Sequence, residues 1–158
     1  MRNRAFPVAA ILCLLLLSQC GYRAVRPYSG KDLSLNELRN VTEEPFLTEA
    51  MEEALAKVAG LRRDGGDRKV DLVITGFSER VQSVTSSGDP VRERISMSFE
   101  WRISGQSEDA STPQRGDVSR TYLWSPDLNV LDWNRRAAIR LLAEDGAGLL
   151  ADQIEVVP

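Results

Sequence analysis

Three arginines bracket a serine-rich turn in the middle of the chain. Arg80 precedes Ser86-Ser87-Gly88-Asp89-Pro90, and Arg92 and Arg94 follow it. A guanidinium is a planar fork of donors that fits a phosphate bidentately, so this cluster is a candidate anion contact. Charged side chains on a solvated hairpin also keep a strand edge from aggregating, and that alternative stays open. A second basic set, Arg135, Arg136 and Arg140, lies in a helix-like stretch, with 136 and 140 one turn apart. Its bland reading is a solvated helix face. Tyr122, Trp124 and Trp133 fall near one strand end and helix start, where core packing or contact with a partner would both use them.

Other residue types close off chemistry. The chain has no histidine, which excludes Ser-His-Asp and Cys-His catalysis and His-ligated metals. Its two cysteines, Cys13 and Cys20, cannot build a zinc site that needs four thiolates. The acidic pairs Glu43-Glu44 and Glu52-Glu53 read as a helix cap and a helix surface, not as converging carboxylates. No G-x-S-x-G, phosphate-binding loop or dinucleotide fingerprint is present. The expectation is a protein without catalysis, cofactor or metal. Lys+Arg of 20 against Asp+Glu of 23 gives a net charge of −3, without the basic excess of a nucleic-acid binder. A composition 42% hydrophobic and 27% charged suits an ordinary folded domain.

Cys20 has a different prospect. Arg2 and Arg4 precede an unbroken apolar run from Val8 to Leu17. Ten helical residues reach about 15 Å, half of a ~30 Å hydrocarbon core, so the run fits a secretory signal better than a span. Leu17-Ser18-Gln19-Cys20-Gly21 then resembles the lipobox of bacterial lipoproteins, in which the Cys thiol takes a diacylglyceryl group and the new N-terminus is acylated. Gln19 departs from the small residue usual before the Cys. Gly21, in place of Asp, implies sorting to the outer membrane. Processing would remove residues 1–19, leave 139 residues, and take the formal charge from −3 to −5 with the loss of Arg2 and Arg4. Residues 20–32 then read as a lipidated tether, with Pro27 and Gly30 as punctuation, and residues 33–158 as a single domain.

The elements that must position these residues follow from periodicity. Leu33, Leu35 and Glu37 alternate with Ser34 and Asn36, a short first strand. Thr42-Glu43-Glu44-Pro45 opens a helix, with Thr42 as its cap. Leu47, Ala50, Met51, Ala54, Leu55 and Val58 line its apolar face, and Gly60 ends it. Val70 to Phe77 is a strand, continuing through Val81 and Val84, whose run Leu72-Val73-Ile74 suggests cover on both faces. Ile95, Met97, Phe99, Trp101 and Ile103 alternate with polar residues, so Val91 to Ile103 is a strand and pairs back across the turn. Asp117 to Trp124 is another strand, with Arg120 on the same side as Val118 and Tyr122. Asp132 caps a helix from Trp133 to about Ile154, in which Gly146 and Gly148 permit close approach to the sheet or mark a kink. The order β-α-β-β-β-α predicts an α+β fold: a two-layer sandwich of a mixed four-stranded β-sheet with two α-helices on one face.

In this arrangement the chain resembles the LPS-assembly lipoprotein family, LptE. The resemblance lies in Cys20-Gly21-Tyr22-Arg23 after the signal, in Asn40-Val41-Thr42-Glu43-Glu44-Pro45 leading into Leu47-Thr48-Glu49-Ala50-Met51, in Val70-Asp71-Leu72-Val73-Ile74-Thr75-Gly76, and in the Ala-, Arg- and Leu-rich C-terminal helix. It implies an outer-membrane lipoprotein, lipid-anchored at Cys20 and facing the periplasm. Such a protein partners and plugs a β-barrel translocon (LptD-like) for lipopolysaccharide, LPS. Arg80, Arg92 and Arg94 would then meet LPS phosphates. An alternative is another envelope lipoprotein of similar sandwich fold, such as an activator of a peptidoglycan synthase. The tether from Gly21 to Asp32 reaches only about 40 Å when extended, which favours work close to the membrane.

Overall fold

The computed structural model describes residues 33–104 and 112–154. The readings of the signal, Cys20 and the tether lie outside the described residues. The elements are β1 (Leu33–Asn40), α1 (Phe46–Val58), β2 (Arg68–Val84), β3 (Pro90–Ser104), β4 (Gln114–Leu123) and α2 (Leu128–Ile154). They make one four-stranded sheet in the order β1-β2-β3-β4, with β1 parallel to β2 and the remaining pairs antiparallel. The mixed α+β sandwich predicted from the sequence pattern is the fold observed.

Alternation on β3 decides which face is buried. Ile95, Met97, Phe99 and Trp101 are at most 3% exposed, and the helices cover them. Val70, Leu72 and Ile74 of β2 join this core, with Leu47, Met51 and Leu55 of α1 and Ile139, Leu142 and Leu150 of α2. Among the described residues no helix covers the opposite face. Val73 is therefore half-buried among Glu37, Arg39, Asp71 and Glu100, and the apolar run Leu72-Val73-Ile74 does not mean cover on both faces. A β-branched residue there serves strand propensity.

The first strand is real but its pattern is interrupted. Leu35 pairs with Val70 and Glu37 with Asp71, so Asn36 is a bulge. After it Leu38, not Glu37, turns to the core; Glu37 is exposed. A side-chain knot then bends the chain into α1. Asn40 Oδ1 accepts the Thr42 backbone N–H at 2.9 Å and the Thr42 hydroxyl at 2.7 Å. Asn40 Nδ2 donates to the Glu44 carbonyl at 2.8 Å and to Thr48 Oγ1 at 3.1 Å. Thr42 is thus not the helix cap. The helix starts at Phe46, whose N–H reaches Glu44 Oε1 at 3.2 Å. Gly60 ends α1 as expected, with φ +66°, and Leu61 N–H donates to the Leu55 carbonyl at 3.0 Å.

The last helix begins five residues before Trp133. Asp127, not Asp132, is its cap: its Oδ1 accepts from Asn129 N–H at 2.9 Å and Val130 N–H at 3.4 Å. Asp132 instead pairs with Arg136 one turn on, at 2.9 Å. Gly146 lets α2 approach the sheet closely, because a Cβ there would lie 2.8 Å from Met97 Cε and 3.3 Å from the Phe99 ring. β4 opens at Gln114, three residues before Asp117, and ends at Leu123.

Candidate anion-binding face

A second bulge determines where Arg80 points. Ile74 pairs with Phe99 and Gly76 with Ser98, leaving Thr75 as the extra residue. Core-facing positions on β2 are even up to Ile74 and odd from Phe77 to Val81. Arg80 consequently shares the helix-free face with Arg94, its direct cross-strand partner, and with Arg92. Ser78, Arg80, Arg94 and Ser96 line a shallow hollow on this face. The structure brings together all three arginines singled out in the sequence.

Their charge is left open. Like charges directly opposite each other destabilise a strand pair. No carboxylate among the described residues forms an ion pair with Arg80, Arg92 or Arg94, whereas Arg102 pairs with Asp71 at 3.2 Å and Arg115 with Asp117 at 3.5 Å further down the same face. The nearest acids in sequence are committed elsewhere. Glu79 and Glu93 point to the helix side, and both accept from the Tyr122 hydroxyl. Asp89 accepts the Ser87 hydroxyl at 2.7 Å within the turn. Three exposed guanidiniums beside serine hydroxyls can hold a phosphate or carboxylate.

The second basic set does other work. Arg135 bonds Glu44 and lies 3.2 Å from Glu79 Oε2, with its guanidinium 5.9 Å above the Phe77 ring. Burial works against its charge, but the two glutamates outweigh that and raise its pKa. Arg136 and Arg140 both lie over the Phe46 ring, at 5.6 and 5.3 Å. These arginines tie α2 to α1 and β2. Arg120, placed by the strand pattern on the side of Val118 and Tyr122, meets Asp145 of α2, with Nη2 2.6 Å from Oδ1. The pairing raises its pKa, through the hydrogen bond first.

The three aromatic residues do not act together. Tyr122 is buried. Burial and the bonds to Glu79 and Glu93 push its phenol above its ordinary range. Trp133 is 70% exposed on α2 and takes no part in the core. The Glu44–Arg135–Glu79–Tyr122–Glu93 network was not legible beforehand; its one sequence signal was Tyr122 in phase with Val118. Among the described residues no cluster of Cys, Asp and Glu is placed to hold a metal ion. None of their helices is long and apolar enough to cross a membrane.

The fold has solved counterparts. Rare lipoprotein B from Shewanella oneidensis superposes with a TM-score of 0.55 at 15% identity, covering 78% of this chain and 93% of that one. A candidate lipoprotein from Caulobacter crescentus CB15 gives 0.58 at 18% identity, covering 74% of this chain and 86% of that one. The chain therefore has the α+β sandwich seen in bacterial lipoprotein structures. No protein-family model matches it, and no curated protein matches it in sequence.

Proposed function

We propose that this chain is an envelope lipoprotein, lipid-anchored through Cys20 in the outer membrane and facing the periplasm. Its finer role is that of an LptE-like subunit, which partners and plugs a β-barrel LPS translocon and meets lipopolysaccharide through Arg80, Arg92 and Arg94. The observation that carries the reading is the triad of arginines, unpaired among the described residues, on the bare face of a hairpin, set on a sandwich shared with lipoproteins. The signal-like segment and Cys20 supply the anchor in this reading. Guanidinium forks match the phosphates of lipid A in charge and geometry.

Affinity capture of the lipidated protein from outer membranes tests the partner. The barrel translocon should co-purify in stoichiometric amount; abundant lipoprotein without any barrel would defeat the proposal. Arg92→Ala with Arg94→Ala should weaken LPS binding about tenfold or more while the barrel stays bound. Unchanged LPS binding would remove these residues from the site.

A further inference from the structure

β1 stops where β2 still has half its length to run. The last ladder pair is Asn40 with Ile74, and the Val41 N–H closes on the Ile74 carbonyl at 3.1 Å. The Asn40–Thr42–Glu44 knot then turns the chain away into α1. β2 continues to Val84, paired only with β3 on its other side. Among the described residues, no strand lies beside the outer edge of β2 beyond Thr75. Between the bulges at Thr75 and Gln82 the stretch Gly76–Val81 is regular, and every second residue along it turns its N–H and C=O outward. A hollow runs along this edge, floored by Thr42 and Glu44 and walled by Phe77, Glu79 and Arg135.

We infer that the outer edge of β2 from Gly76 to Val81 is a strand-addition site for an extended segment of a partner polypeptide, in which acidic side chains alternate with apolar ones. The backbone supplies the affinity and the two faces of the edge supply the selectivity. On the bare face an added strand would lie beside Ser78 and Arg80, with Arg94 and Arg92 next to them, and acidic side chains complement those open charges. On the helix side it would meet Phe77 and Val81, the latter 54% exposed, and apolar side chains fit there. Glu79 and Glu44 on that side are already held by Arg135 and need no cation. A second copy suits the edge poorly, since pairing two such edges would gather two Arg80–Arg94 pairs on one face. A lipid surface lacks the regularly alternating N–H and C=O groups that would continue the ladder. The inference rests on the sheet edge, and its charge selectivity draws on the same arginines that the proposed function gives to LPS; protection of the edge amides is the readout that separates the two.

The probe is the peptide acetyl-(Val-Glu)3-Val-amide, added to the full chain in detergent, with amide hydrogen exchange as the readout. Exchange at Gly76–Val81 should slow about tenfold or more on saturation, while the β4 edge is unaffected. Two N-methylated versions then ask whether the bond is a ladder, one methylated at the glutamates and one at the valines. The version whose methyls face β2 should bind about tenfold or more weaker, and the other should bind like the parent. The lysine peptide acetyl-(Val-Lys)3-Val-amide should fail on the native chain and bind the R80E/R94E variant. Equal binding of both methylated peptides, equal binding of the lysine peptide to the native chain, or protection at Gln114–Leu123 would each overturn the inference. Concentration-dependent protection of Gly76–Val81 without peptide would assign the edge to a second copy and also overturn it.

Discussion

Tyr122 places one phenolic hydroxyl against two carboxylates, Glu79 and Glu93, near the end of the sheet. Removing it with Tyr122→Phe leaves two acids facing each other across an apolar ring, and should cost about 1–2 kcal/mol at neutral pH in chemical unfolding. The same group sets an alkaline limit. Its folded pKa is raised above the ordinary value of 10.0, so the folded state holds a proton that the unfolded chain releases. The stabilising proton is fully present below pH ~10 and is lost as pH rises further toward the folded value. Unfolding free energy should therefore fall with pH above about 10 in the native protein, and Tyr122→Phe should flatten that fall. A parallel decline in both proteins would show that other groups govern the alkaline limb. Gly116 makes a second residue-scale case. A Cβ there would sit 2.5 Å from the Phe99 ring. Gly116→Ala should thus destabilise by about 1–3 kcal/mol through displacement of that ring, although alanine suits a strand better than glycine does.

Two short turns control where the helices begin, and each rests on one side chain. Asn40 satisfies four hydrogen bonds at the β1–α1 junction, so Asn40→Ala should cost about 1–3 kcal/mol by thermal or chemical unfolding. Asp127→Ala should cost about 1 kcal/mol, as an N-cap does, whereas Asp132→Ala should lose only an exposed i,i+4 ion pair worth about 0.3–0.5 kcal/mol. Equal losses at 127 and 132 would contradict the observed helix start. At this scale the sequence was partly readable. The alternation Ile95 to Ile103 and the 3–4 spacing of Leu47 to Val58 are local, and both elements formed as read. The start of α2 was hidden because Leu128, Val130 and Trp133 are exposed, so no apolar periodicity marks its first turns. The bulges at Asn36 and Thr75 are defined by pairing with a distant strand, and no local pattern determines them. Arg92 and Arg94 could be placed on one face from the odd-numbered apolar residues of β3. Arg80 could not, since simple alternation from Val70, Leu72 and Ile74 would have buried it. The shift from Ile74 to Phe77 and Val81 was the available sign.

Taken whole, the molecule has a thick end and a thin end. At the thick end β1, α1 and the body of α2 cover the sheet, and Val70, Leu72, Ile74 and Phe99 are fully buried. Toward the turn at Ser86–Gly88, β1 and α1 have ended; among the described residues only β3, the end of β4 and the first turns of α2 accompany β2. Val81 and Val84 are 54% and 57% exposed there. Burial of apolar area is the main source of stability, so the two ends cannot be equally stable. Amides of Val81–Val84 and Val91–Arg94 should exchange about tenfold faster or more than those of Val70–Ile74 and Ile95–Trp101, at a rate independent of global unfolding. Exchange at the thin end should respond little to mild denaturant, because opening it exposes little surface. The buried body should respond with the full slope of unfolding. This contrast is what the proposed partner-binding arm requires, since its edge and its arginines must stay accessible while the body holds them in register. Uniform protection along β2, with one denaturant slope throughout, would mean that the hairpin melts only with the core, and would remove the distinction between arm and body.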